Sequence, residues 1–190
     1  VILGQLVNLF RNGEPVRMSK RTGDIITMQE VMDEIGVDAL RYLLARKSVN
    51  TPIDFDLGQA VKQTSDNPVY YVQYAHARLC SILRKAAIEP GIVHGEYRED
   101  KWHPGIQVPL HNAERNVILK ALLFSEIIAD AAATLEPHRL CTYLEELAAL
   151  LHLFYHDCRV IDAENIQQTT RRLALVAKIR DLFNTGLGLL

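Results

Sequence analysis

Apolar residues along this chain recur first at strand spacing and then, for most of its length, at helical spacing. Near the start, Leu6-Val7-Asn8-Leu9-Phe10 and Val16-Arg17-Met18 flank Asn12-Gly13. Asn-Gly between two such runs is the strongest short signal for a hairpin. Pro15 lacks an amide hydrogen, so the return strand should be short or at an edge. Thr27-Met28-Gln29-Glu30 has the form of a capping box and predicts a helix from Met28. Gly36 should end that helix, and Asp38 is placed to cap a second one carrying Leu40, Leu43 and Leu44, which Thr51-Pro52 closes. Ile53 to Asp56 alternates apolar and acidic residues and reads as an extended linker. Asp56 can cap one further turn towards Lys62.

From Asp66 onward the period is helical. Asn67 is a natural N-cap with Pro68 at the first helical position, and Val69, Val72, Leu79 and Leu83 form the stripe to be buried. Gly91 to Pro109 reads as a long connection with Trp102 as its anchor. Three helices are then predicted, over Asn112 to Leu135, Arg139 to Tyr155 and Glu164 to Asn184, the last ended by Gly186. Leu140, Leu144, Leu147, Leu151 and Phe154 make the clearest amphipathic face. The expected fold is mainly α. A short β-hairpin, a loop and small helices occupy residues 1–65, and an antiparallel helical bundle occupies 66–190.

Composition adds boundaries. With 190 residues, 48% hydrophobic and 23% charged, the chain suits one globular domain or one domain with an appendage. Twenty-one Lys and Arg against 23 Asp and Glu leave a net charge of −2, which excludes nucleic-acid binding through bulk positive charge and leaves room for a local basic patch. Cys80, Cys141 and Cys158 form no CxxC pair and suit a reducing compartment, with the cytoplasm as the expected location. The longest apolar stretch, Val117 to Leu135, contains Lys120, Glu126 and Asp130 and cannot serve as a membrane span. The ends, Val1-Ile2-Leu3 and Gly188-Leu189-Leu190, read as those of a piece cut from a longer protein.

Two stretches could carry chemistry. Residues Arg11 to Arg21 hold four cations against Glu14, a local charge of +3, and Arg17-Met18-Ser19-Lys20-Arg21 lies in a polar loop closed by Gly23. Such cations can stabilise charge developing on phosphate oxygens. On composition alone the same residues describe a solvated basic turn. The second stretch is the helix text Asn67 to Arg78, whose Tyr71, Tyr74 and Arg78 share a face with Ser81. Aromatic rings that stack on unpaired bases beside an Arg suit single-stranded RNA, although such tyrosines also serve simply to pack helices. His152 and His156 stand four apart without a third ligand, so no metal site is expected. The cysteines read as small apolar residues.

Glu14-Pro15-Val16-Arg17-Met18-Ser19-Lys20-Arg21-Thr22-Gly23 resembles the KMSKS signature of class I aminoacyl-tRNA synthetases in its arginyl-tRNA synthetase form. Asp38-Ala39-Leu40-Arg41 resembles the sequence that names the DALR anticodon-binding domain, and Asn67 to Arg78 resembles that domain's first helix. Order and spacing match over essentially the whole chain. The resemblance implies an enzyme that activates arginine with ATP, supplied as Mg-ATP and with no tightly bound cofactor, and transfers it to tRNA(Arg). It implies that Arg17, Met18, Ser19 and Lys20 form the ATP loop, Lys20 being the catalytic cation, and that Tyr71, Arg78 and Tyr155 face the anticodon stem-loop. Arg17 replaces the signature's first Lys and keeps the charge with a planar fork. The HIGH signature lies upstream in such enzymes and has no match here. The chain is therefore expected to be the end of a catalytic domain plus the anticodon-binding bundle, inactive by itself and partnered by the upstream catalytic domain. A freestanding helical module that binds RNA or protein is the alternative.

Overall fold

A computed structural model describes residues 3–16, 26–88 and 109–190. The basic loop with Arg17, Met18, Ser19 and Lys20, and the connection with Trp102, lie outside the described residues. In chain order the elements are β1 (Val7–Arg11), β2 (Glu14–Pro15), α1 (Met28–Ile35), α2 (Val37–Ala45), β3 (Ile53–Asp56), α3 (Leu57–Ala60), α4 (Pro68–Ile88), α5 (Asn112–Leu122), α6 (Phe124–Thr134), α7 (His138–Asp157) and α8 (Ile166–Leu189). The fold is mainly α with a small three-stranded sheet. It divides into two compact units, one of Val1–Gln73, Glu126–Glu145 and Leu190, the other of Tyr74–Ser125 and Glu146–Leu189.

In the first unit β1 and β2 form the hairpin, with Phe10 opposite Pro15 and Arg11 opposite Glu14. Asn12 and Gly13 turn it with φ of 53° and 85°, consecutive positive values that Asn-Gly tolerates best. Residues 53–56 are not a linker. They form β3, parallel to β1 with Leu9 opposite Phe55, and the sheet order is β2-β1-β3. Alternation supplied the face, and the connection through α1 and α2 supplied the parallel partner.

Thr27 and Glu30 close the predicted capping box on α1. Gly36, at φ 84° and ψ 152°, both ends α1 and opens α2, so Asp38 lies in the first turn of α2 instead of capping it. There its charge complements the helix N-terminus. Val31, Leu40, Phe55, Leu57 and Ala60 form the buried core of this layer, with Leu9, Ile26, Leu43 and Leu44 packed against it. The Tyr42 hydroxyl reaches Cys141 O at 3.4 Å and Glu145 at 3.3 Å, and Arg46 grips the same carboxylate through Nε at 2.6 Å and Nη2 at 3.0 Å. Burial pushes the Cys141 thiol up to about 12, which keeps it a neutral, core-compatible group.

Asn67 starts α4 as the sequence predicts. Its Oδ1 accepts from Val69 N at 3.1 Å, while Nδ2 donates to Ala60 O at 2.9 Å and Lys62 O at 2.8 Å. The side chain is buried, so Asn67→Ala removes a cap and leaves two carbonyls without this donor. We expect a loss of about 2 kcal/mol, read as a lower denaturant midpoint at unchanged slope. An unchanged midpoint would show that the cap contributes nothing here.

In the second unit Leu147, Leu151 and Phe154 of α7 and Val176, Ile179 and Phe183 of α8 are buried. Two predicted boundaries are corrected. The single helix expected over Asn112 to Leu135 breaks at Leu123, where the amide turns back to Lys120 O at 3.1 Å and tightens the last turn of α5. No Gly or Pro marks that break. Gly186 does not end α8, which continues to Leu189 with Gly186 buried inside it. Glycine inside a helix costs about 0.5–1 kcal/mol relative to alanine, which the rest of the helix outweighs here.

Across the start of α5 and α8, Glu114 is 1% exposed and Arg172 is 6% exposed. Glu114 accepts from Arg172 Nε at 3.2 Å and from Arg171 Nη2 at 3.1 Å, and it caps the backbone amide of His111 at 2.9 Å. Arg172 also donates to Arg159 O at 2.8 Å. Every charge in this buried group has a partner, as burial of charge requires.

Candidate functional site

Helical spacing puts Tyr74 and Arg78 on adjacent turns of α4, and His152 and Tyr155 on adjacent turns of α7. Packing of the second unit brings the two pairs together. Arg78 lies with its guanidinium carbon 5.1 Å from the centroid of the Tyr155 ring, and its Nη1 donates to the Tyr74 hydroxyl at 3.2 Å. Tyr74 in turn stacks on His152, with centroids 6.1 Å apart and planes at 22°. Phe154, fully buried, supports Tyr155 from 5.6 Å at 47°.

This arrangement preorganises a cation. A guanidinium over a ring gains about 0.5–1 kcal/mol at an exposed site, and the second contact fixes its plane. Arg78 and Tyr74 are exposed, whereas the Tyr155 hydroxyl is buried with no hydrogen-bond partner among the described residues. Burial pushes that phenol well above its ordinary range, so Tyr155 stays neutral. Burial, followed by the Arg78 charge, holds His152 below the usual histidine value and keeps its ring uncharged near neutrality. The result is one fixed positive charge framed by neutral aromatic rings, chemistry that suits a phosphate beside an unstacked base.

Of the residues singled out from the sequence, Arg78 and Tyr155 are brought into contact. Tyr71 stands two turns before Arg78 on α4, half-buried, with burial raising its phenol. His152, from which no metal site was expected, is the ring stacked on Tyr74. His156 faces Asp157 at 2.7 Å. Among the described residues no group of three or more His, Cys, Asp or Glu could hold a metal ion. The usable signal for His152 was its position three residues before Tyr155, which places both on one face of α7.

The family model of the DALR anticodon binding domain matches residues 72–190, which include Tyr74, Arg78, His152 and Tyr155. The chain belongs to the DALR anticodon binding domain family. Over 98% of its length it is 44% identical to the arginine–tRNA ligases of Geobacillus kaustophilus and Geobacillus thermodenitrificans, covering 32% of each. A solved structure from Campylobacter jejuni, assigned to the arginyl-tRNA synthetases, matches with a TM-score of 0.75 and 32% identity over 98% of this chain and 39% of that one. The arginyl-tRNA synthetase of Thermus thermophilus matches with a TM-score of 0.65 and 26% identity over 97% of this chain and 33% of that one. The DALR chain thus spans about a third of the length of the curated relatives it matches. None of its described helices is long and apolar enough to cross a membrane.

Proposed function

We propose that this chain is the C-terminal part of an arginine–tRNA ligase, with residues 1–65 ending the catalytic domain and 66–190 binding the anticodon stem-loop of tRNA(Arg). In the reaction, a carboxylate oxygen of arginine attacks the α-phosphorus of ATP. The bond to the β-phosphate breaks, and pyrophosphate leaves. A ribose hydroxyl at the tRNA terminus then attacks the activated carbonyl, and AMP departs. Arg17, Met18, Ser19 and Lys20 form the loop that contacts ATP, with Lys20 carrying the charge that the departing pyrophosphate needs. The upstream part of the polypeptide supplies the rest of the active site, and the cytoplasm is where such an enzyme works.

The observation that carries the RNA side of this reading is the exposed Arg78, held between Tyr155 and Tyr74 on residues that match the DALR family. Similarity to arginine–tRNA ligases along almost the whole chain supports the catalytic side. In the full-length enzyme, Tyr71→Ala and Arg78→Ala should raise the apparent KM for tRNA and leave arginine-dependent pyrophosphate exchange nearly intact. Loss of one stacking ring costs about 1–3 kcal/mol per base. Loss of Arg78 should also reduce the slope of log affinity against log salt by about 0.7–0.9 per phosphate contact. Circular dichroism establishes that the variants are folded. Folded variants that bind tRNA like the parent would make the aromatic strip a packing feature.

A further inference from the structure

We propose that Asp56 is a positioning residue for the activation step, because its carboxylate grips the tip of the hairpin from which residues 17–20 issue. The inference rests on the reading of those residues as the ATP loop.

Hairpin turns in solvent ordinarily leave their amides to water. Here both are taken: Asn12 N donates to Asp56 Oδ1 at 3.0 Å, and Gly13 N donates to Oδ2 at 2.7 Å. The same Oδ1 accepts from Gln59 N at 3.2 Å, as the N-cap of α3. One carboxylate therefore ties the turn of β1 and β2 to the junction of β3 and α3. Burial alone would raise its pKa. The backbone hydrogen bonds from Gly13, Asn12, Gln59 and Gly58 outweigh that effect and hold it below the ordinary aspartate range, so it is ionised at neutral pH. Charge-assisted bonds of this kind are roughly twice as strong as neutral ones.

A second residue is fitted to the same contact. A Cβ at Gly58 would stand 2.1 Å from Asn12 Oδ1 and 3.2 Å from Asn12 N, so a side chain there displaces the Asn12 side chain and crowds the turn amide that Asp56 holds. The constraint then continues along the return strand. Val16 N donates to Leu9 O at 2.9 Å, which keeps the hairpin register up to the residue before Arg17. The exposed Arg11–Glu34 pair on the same hairpin is bidentate at 2.6 and 2.8 Å. The Asp56 grip acts on the backbone of the turn directly, whereas this pair holds the hairpin through a long side chain. A misplacement of about 1 Å between reacting groups can cost ~100-fold in rate, and a loosened hairpin is one way to introduce it.

The test uses the full-length polypeptide carrying Asp56→Ala, Asp56→Asn or Gly58→Ala, with Lys20→Ala measured alongside, well below the melting temperature. Asp56→Ala and Gly58→Ala should lower kcat for arginine-dependent pyrophosphate exchange by about tenfold or more, with KM for arginine and tRNA affinity near parental. Asp56→Asn, which keeps one oxygen acceptor, should fall between them and the parent. Gly58→Ala decides the matter if Asp56→Ala reduces the folded fraction, because it leaves the carboxylate in place. Parental kcat in folded Gly58→Ala or Asp56→Ala, while Lys20→Ala is impaired, overturns the proposal and makes the grip purely structural. Parental kcat in Lys20→Ala overturns instead the loop reading on which it rests.

Discussion

Glu114→Ala should lower the unfolding free energy by about 3–5 kcal/mol, because it removes one partner of a buried charge group and leaves the others in place. Arg172 would keep its bond to Arg159 O and lose the anion that balances it in the interior. Arg171, with 17% of its side chain exposed, would lose the same anion. The His111 amide would lose its cap at the start of α5. Chemical denaturation read by circular dichroism measures this as a shift in midpoint, and a shift below about 1 kcal/mol would show that the cluster relaxes onto water.

The same carboxylate adds a pH dependence whose direction is fixed. Burial alone would raise the Glu114 pKa. The Arg172 hydrogen bond, the His111 amide and the charges of Arg172 and Arg171 outweigh it and set the folded value below that of an ordinary glutamate. A depressed folded pKa contributes stability that is fully present above the unfolded value, near pH 4.5, and is lost as pH falls through the folded value. Acidification should therefore destabilise the parent more steeply than Glu114→Gln, which has no proton to gain there. Equal acid slopes would remove Glu114 from the acid response.

Lys20→Ala in the full-length enzyme should lower the rate of adenylate formation about 10²–10³-fold, or about 2.7–4 kcal/mol, while arginine binds nearly as before. The asymmetry follows from when the charge is needed. Negative charge accumulates on the bridging and terminal oxygens of the leaving pyrophosphate, so a cation placed there stabilises the transition state more than the bound substrates. Arginine-dependent pyrophosphate exchange gives kcat, and equilibrium dialysis gives arginine affinity. A parental rate would return the stretch from Arg17 to Lys20 to a solvated basic turn.

The alignment of Tyr71, Tyr74 and Arg78 was legible from the sequence, since they fall on one face of any helix that starts at Pro68. Their partners were not. Tyr155 and His152 sit on a helix far along the chain, and nothing in the spacing of either helix specifies which turn of α4 meets which turn of α7. His152 illustrates what one helix leaves out: its spacing from His156 carried no metal site, and only the packing of α7 against α4 makes it a ring stacked on Tyr74.

What the sequence determined by itself were the features whose energetics are local. The Asn12-Gly13 turn follows from which residues tolerate positive φ, the starts at Thr27 and Asn67 from side chains that satisfy amides two or three residues away, and the α7 face from a 3.6-residue period. Tertiary structure decided the rest. Residues 53–56 became a strand because β1, 46 residues earlier in register, offered a parallel partner, and no local rule reports an offer made that far away. The break at Leu123 has no Gly or Pro to mark it, and α8 continues through Gly186 although glycine is a common helix end. The Glu114 group joins residues 57 and 58 apart, and the Asp56 grip joins residues 43 and 44 apart. Charges and amides of that kind find their partners only after the apolar faces have set the helices and strands side by side, because hydrophobic burial is non-directional and brings the chain together before geometry selects the pairs.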